Sequence, residues 1–397
     1  MPDHDFSTLV DRSDMASAKW NAMRRANPCV APGIAPFSVA DIDLPHPPEI
    51  IDGLKAFIDA TPLGYTAPSA AFVDAVVGWM QRRHGWTVDP DWLVQTPGVV
   101  PALFTAVRAF TDPGDGVIVQ TPAYHPFRLA IEKNRRRVVD NPLRLDGGRF
   151  TIDFEHLQHV AAEPGNRLLM FCSPHNPTGR VWTPDELRRV ADIAIAHDLV
   201  LVSDEIHFDL VLPGHRHTVM STLGPDVAAR TLVCTAPSKT FNLAGLGASN
   251  IIVSDPDLRR RFIAERDATG FFFLTAPGYK GCELAYTKGD AWLDGLLELI
   301  ARNHRLVKQF MARHLPQVTV FDLEGTYLQW MDFRALGRNA AELKAIHQRD
   351  AQVFFEEGTS FGEEGAGFER MNIAAPTAVV EAALERLARA HEARMRG

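Results

Sequence analysis

The sequence predicts an α/β protein: a large part built on a mostly parallel sheet covered by helices on both faces, plus a smaller α/β part. Three observations predict it. Between Trp92 and Asp255, short runs rich in Val, Leu and Ile (LVQT, GVIVQ, RLLMFC, LVLVSDE, TLVCT, NIIVSD) alternate with stretches of helical spacing, the pattern of buried parallel strands and their crossover helices. The chain has 397 residues, more than the ~250–300 at which a single core stops growing. Beyond about residue 284 the alternation gives way to a long helical run, Asp290 to His314, then VTVFDL and TYLQWMDF, a helix near Ala340 to Asp350, and a terminal helix from Thr377 to Arg396. The boundaries that follow are an N-terminal arm at 1–45 joining the small part, a large ligand-binding part at 46–284, and a small C-terminal part at 285–397.

The elements follow in order. The first 45 residues, ending in VADIDLPHPP, read as an arm with little regular structure. Pro48 opens a helical pattern through Ala60 with Ile50, Ile51, Leu54 and Ile58 on one face, because proline is tolerated in the first turn. Gly64-Tyr65-Thr66 is a turn, and residues 70–84 return to helical spacing through Phe72, Val76, Trp79 and Met80. Gly98-Val99-Val100 joins the strand LVQT to the helix PALFTAVRAF, and a further helix is expected around Phe127 to Asn134. Thr183 is placed to cap a helix at Pro184 to His197, with Asp185 and Glu186 at its positive end.

Composition excludes several classes. Hydrophobic residues are 46% and charged residues 23% of the chain, values of a globular enzyme. A net charge of −8 with no Lys/Arg run longer than Arg135 to Arg137 argues against nucleic acid as a partner. No window approaches 18 apolar residues, and MPDHDFSTLVDRSD has no signal-like apolar core, so neither membrane insertion nor secretion is expected. Cys29, Cys172, Cys234 and Cys282 are far apart, with no Cys-x-x-Cys pair, which fits free thiols in a reducing cytoplasm. His215-Arg216-His217 follows Pro213-Gly214 and reads as a surface turn; no metal site is expected.

Chemistry concentrates between Leu199 and Leu246. LVLVSDE ends by delivering Asp204, and TLVCTAPSK ends by delivering Lys239. Taken singly each is an ordinary strand end. Together, an amine and a carboxylate at adjacent strand ends suit pyridoxal phosphate, whose aldehyde needs a lysine for a Schiff base and whose ring nitrogen needs a carboxylate to stay protonated. Gly98 lets the chain turn so that free N–H groups at the following helix start face a phosphate. Tyr124, in TPAYHPF, is placed to lay its ring on a flat cofactor, although an aromatic between prolines also simply packs a loop. Asn176, in SPHNPTG, puts an amide donor over the same strand ends as Asp204.

SPHNPTG, SDEIH and APSKTFNLAGL together resemble the fold-type I pyridoxal-phosphate enzymes of the class I/II aminotransferase family, over nearly the whole chain. KWN and VADIDLP resemble the KWD and VADMDFP of one branch, the cystathionine β-lyases of the MalY/PatB type, as do GVVPAL and DEIHFDL. The resemblance implies a seven-stranded large sheet, Lys239 as the catalytic Schiff-base lysine, Asp204 on the ring nitrogen, Asn176 on the ring oxygen and Tyr124 stacked on the ring. It implies that the Val99 and Val100 amides and Ser238 hold the phosphate, and that Tyr65 reaches the phosphate of the neighbouring subunit in a homodimer with shared sites. Arg370, in FERMNIA, matches the arginine that grips the substrate carboxylate; Trp20 and Asp41 fall in the arm motifs, at the substrate end, together with Tyr124. Two departures stand out. Gly247 occupies the position where many aminotransferases carry a phosphate-binding Arg, and His207 stands where they commonly carry Tyr, either packing a strand end or contacting the ring. Both favour a lyase that cleaves cystathionine or related L-cysteine S-conjugates to thiol, pyruvate and ammonia. An aminotransferase, or an enzyme of natural-product synthesis acting at the β- or γ-carbon, uses the same core residues.

Overall fold

The computed structural model describes residues 4–396. In chain order its strands are β1 (Leu93–Thr96), β2 (Gly116–Thr121), β3 (Arg137–Pro142), the hairpin β4 (Arg144–Asp146) and β5 (Arg149–Thr151), β6 (Asn166–Cys172), β7 (Val200–Asp204), β8 (Thr231–Thr235) and β9 (Ser249–Ile252); then β10 (Thr319–Val320), β11 (Leu328–Asp332), β12 (Glu356–Glu357) and β13 (Phe368–Asn372). A seven-stranded sheet has the order β1-β9-β8-β7-β6-β2-β3, and a four-stranded sheet the order β10-β11-β13-β12. In the large sheet only β9 is reversed, pairing antiparallel with both β1 and β8, while β3, β2, β6, β7 and β8 pair in parallel.

The side-chain period of two explains why these runs are apolar throughout. Val117 and Val119 of β2 pack into one cluster with Leu103 and Val107 of the helix Val99–Phe110. Ile118 between them belongs to a second cluster, with Leu187 and Val190 of the helix Pro184–Ala196. Both faces are therefore covered, and each fully buried Val, Leu or Ile contributes about 1.5–3 kcal/mol. Thr183 caps the second helix in a reciprocal pair: its Oγ1 accepts from the Glu186 N–H (3.2 Å), and Glu186 Oε2 accepts from the Thr183 N–H (2.8 Å).

Several elements depart from the sequence expectations. The arm is not without regular structure: Ala18–Ala26 is a helix, held by Trp20 and Met23 against Ala35 and Phe354, a three-residue spacing too brief to read as periodic. The helix expected at Phe127 to Asn134 runs from His125 to Glu132, with Pro126 in its first turn. The segment near Ala340 begins as an α-helix to Lys344 and continues as a π-helix to Ala351. The helix Pro256–Asp267, PDLRRRFIAERD, buries only Leu258 and Phe262, so polarity hid it. His217 does not lie on a surface turn. His215 and Arg216 are exposed, but His217 is buried because its Nε2 donates to the buried Glu205 carboxylate (2.7 Å).

One cluster joins the two sheets' surroundings, from Trp79 and Phe241 to Leu328 and Met371. Among the described residues no helix is long and apolar enough to cross a membrane, and no group of three or more His, Cys, Asp or Glu is placed to hold a metal ion.

Candidate active site

The carboxyl ends of the parallel strands build the floor of one cavity. β7 ends at Asp204, in register with Cys234 of β8; two residues beyond β8 the short helix Pro237–Thr240 carries Ser238 and Lys239. Thr240 Oγ1 donates to Asp209 Oδ2 (2.7 Å), and Asp209 Oδ1 accepts from Trp79 Nε1 (3.0 Å), so the turn bearing Lys239 is pinned to the segment that follows Asp204. β6 leads to Asn176, β2 to Tyr124, and β13 of the small sheet supplies Arg370 from the other side. Asp204, Lys239, Asn176, Tyr124, Arg370, His207, Ser238, Val99 and Val100 all line this cavity of about 680 Å³, within the range of roughly 300–1,000 Å³ usual for small-molecule and cofactor sites.

The electrostatics of the floor are set by burial. Asp204 is 4% exposed; desolvation pushes its carboxyl up to about 7, with Glu205 adding to the rise, against the Ile206 N–H (3.1 Å) and the charge of Lys239. Desolvation brings the Lys239 amine down to about 8, opposed chiefly by Asp41, and Nζ donates to the Ala40 carbonyl (2.8 Å). Burial, Lys239 and Arg370 together push the His207 imidazole down to about 3, and its Nδ1 has no partner. Burial raises the Tyr124 phenol while Arg370 opposes it. Arg370 Nη1 donates to Asn176 Oδ1 (2.9 Å), which leaves the Asn176 NH2 available, and the buried Arg370 Nε is unpartnered.

Three candidates lie elsewhere. Trp20, expected at the substrate end, is instead buried in the arm's own cluster, its Nε1 donating to Asp43 Oδ2 (3.2 Å). Asp41 does not line the main cavity; its carboxylate accepts from Arg12 Nη1 (2.8 Å), and it acts on Lys239 only through its field. Tyr65 is fully exposed on the segment between two helices. Residues that sequence reasoning did not single out complete the wall: Val39 and Ala40 of the arm, His125, and Glu356, Thr359, Ser360 and Phe361. His125 is findable as the neighbour of Tyr124 at a helix start, and Val39 and Ala40 as the opening of VADIDLP; Glu356, Thr359, Ser360 and Phe361 carry no local signal.

The residues present fit pyridoxal phosphate. A buried carboxylate with a single N–H donor is left wanting a cationic N–H, burial shifts the Lys239 amine toward its neutral form, and His207 Nδ1 and Arg370 Nε await partners. Gly98, at φ +140°, caps the helix Val99–Phe110 with no side chain between its first amides and the cavity, as a phosphate cradle requires. Gly247, at φ +58°, lines the same end and offers no cation.

A lysine and a carboxylate at neighbouring strand ends of such a sheet, with an arginine brought over from a second sheet, define the architecture of the fold-type I pyridoxal-phosphate enzymes. The chain belongs to the class I and II aminotransferase family, whose model matches residues 39–387. It is 40% identical to cystathionine β-lyase PatB of Bacillus subtilis over 383 residues, 96% of this chain and 98% of that protein. It is 30% identical to protein MalY of Escherichia coli over 95% of this chain and 96% of that protein. Among solved structures, cystalysin from Treponema denticola, which contains a pyridoxal 5′-phosphate cofactor, superposes with a TM-score of 0.97 at 47% identity, covering 98% of this chain and 99% of that one.

Proposed function

We propose that the protein is a pyridoxal-phosphate-dependent carbon–sulfur β-lyase that cleaves cystathionine or related L-cysteine S-conjugates to a thiol, pyruvate and ammonia. One observation carries the reading: a single cavity is walled by a buried carboxylate, Asp204, a lysine brought down to about 8, Lys239, and a buried arginine with an open edge, Arg370. The relative PatB, named a cystathionine β-lyase, supports the activity, and cystalysin, which contains pyridoxal 5′-phosphate, supports the cofactor.

The cofactor, when bound, supplies an electron-withdrawing ring that stabilises negative charge at the substrate Cα. Asp204 would hold the ring nitrogen and Asn176 the ring oxygen, Tyr124 and His207 would contact the ring, and Val99, Val100 and Ser238 would hold the phosphate. Arg370 binds the α-carboxylate through its Nε and Nη2 and so orients the Cα–H bond. Lys239 Nζ takes the Cα proton. The Ala40 carbonyl accepts one of its N–H groups and orients the amine, and a base brought down to about 8 is close to the optimum for proton transfer at neutral pH. The departing thiolate leaves from Cβ. Arg370 is the single arginine lining the cavity among the described residues, which suits a substituent on sulfur that is neutral or zwitterionic rather than a second isolated carboxylate.

The reading includes a homodimer in which the fully exposed Tyr65 reaches the partner subunit's phosphate site, a cytoplasmic location for a chain with four free cysteines, and a division at 1–45, 46–284 and 285–397. Steady release of pyruvate and thiol from cystathionine with no keto-acid acceptor supports the lyase. Turnover that depends strictly on such an acceptor makes the protein an aminotransferase instead.

A further inference from the structure

Val39 and Ala40 of the arm line the cavity, and the ties of this strap, residues 37–41, lead to both ends of the site. Asn372, two residues beyond Arg370, donates through Nδ2 to the carbonyls of Val39 (3.1 Å) and Asp41 (2.9 Å). Ala40 between them accepts from Lys239. Val39 has φ +31°, a conformation that a β-branched residue adopts only when its neighbours impose it. One neighbour is Glu356, opposite Arg370 in the β12–β13 register. Its Oε2 accepts the Val39 N–H at 3.2 Å and lies 3.8 Å from Arg370 Nη2. At that distance Glu356 offsets the guanidinium charge without forming a hydrogen bond. The Nε–Nη2 edge therefore remains unmet, with an acidic oxygen standing beside it.

We infer that Glu356 is a resident carboxylate that substrate must displace: it offsets the charge of Arg370 and ties down Val39 until substrate arrives, and the incoming α-carboxylate takes its place at the Nε–Nη2 edge. The strap is then freed at Val39, and carboxylate binding at one end is coupled to the segment that holds Lys239 at the other. Glu356 is a positioning residue in this scheme. Its side chain is part-exposed, so it has solvent to swing into. This inference rests on the assignment of Arg370 as the carboxylate site but not on the reaction that follows.

The test is calorimetric titration of the holoenzyme with 3-(methylthio)propionate, a thioether carboxylate that has no amine. Glu356→Gln keeps an acceptor for Val39 and removes the charge; it is expected to bind the probe about tenfold tighter, as loss of one like charge near contact distance allows. Glu356→Ala also binds more tightly, because it removes both the competing charge and the tie to Val39 that binding has to break, and in the lyase assay both variants lower KM for cystathionine by more than they change kcat. Affinity that is unchanged or weaker in both variants overturns the inference. Arg370→Lys serves as the control. If it binds the probe as wild type does, the assignment of Arg370 fails, and the inference fails with it through its premise; loss of binding there, together with tighter binding in Glu356→Gln, supports the exchange even if no thiol is ever released from cystathionine.

Discussion

The two ends of the cavity are built on different principles. The floor comes from consecutive strands of one sheet: Asp204, buried, and Lys239, half-buried, sit at neighbouring ends, with Thr240 locked to Asp209. The substrate pole is assembled from distant pieces, with Arg370 and Glu356 from the small sheet and Val39 and Ala40 from the arm; Arg370 is buried, but the groups around it are half-buried or exposed and Glu356 reaches Val39 and Arg370 only by long contacts. A floor of this kind is preorganised for a ligand that stays, while the pole has groups that can be exchanged as substrates come and go.

The largest expected effect tests the floor. Lys239→Ala should lower pyruvate release from cystathionine by about 10³-fold or more, since it removes the proton acceptor itself; turnover near wild type would move the base elsewhere in the cavity. The second concerns Asp204 in the cofactor-free protein. Its carboxyl is raised from the usual 3.8 to about 7 by burial, so between these values the folded chain holds a proton that the unfolded chain has released. The unfolded state binds fewer protons there, and stability falls as pH rises through that window. The change is on the order of a few kcal/mol. His175, His207, His347 and His391, held at about 3 to 4, push the other way over the same range, so the Asp204 contribution is read as a difference: in thermal melts of the cofactor-free proteins from pH 4 to 7, stability should rise more steeply with pH in Asp204→Asn than in wild type. Equal slopes in the two proteins would show that the carboxyl is not held in a dry floor.

The same contrast explains what the sequence disclosed. Asp204 and Lys239 were legible because each ends an apolar run, and a parallel strand hands its last polar residue to the sheet's carboxyl edge. Asn176 and Tyr124 follow the same rule. Glu356 and Val39 are 317 positions apart and meet only because β12 pairs with β13 and the arm lies across them; Val39 opens the VADIDLP motif, but nothing in that motif points to Glu356, which has no signal of its own. Trp20 misled for the opposite reason. The KWN motif identified the arm, but the indole serves the arm's own packing against Phe354. His217 followed a recognisable Pro-Gly turn, yet the buried Glu205 carboxylate, which no local pattern advertises, draws it inward.

At the pole, Arg370→Lys should raise KM for cystathionine by about a hundredfold with a smaller loss in kcat, because a single ammonium replaces a two-point fork. A collapse of kcat at unchanged KM would instead place Arg370 with the floor and erase the division between the two ends.

The smallest effect is the most selective. Asn372 Nδ2 holds two strap carbonyls, and its Oδ1 accepts from the Ala374 N–H (3.0 Å), so Asn372→Ala leaves several backbone groups unpaired. A loss of about 1–3 kcal/mol is expected, small for a chain of this size. Its location matters more than its magnitude. Hydrogen exchange should quicken at the amides of residues 37–41 while those of β7 and β8 stay protected, because the floor's bonds run within the large sheet and none of them passes through Asn372. If β7 and β8 loosened in step with the strap, the cavity would behave as one cooperative unit, and the difference between a fixed floor and an exchangeable pole would have no physical basis.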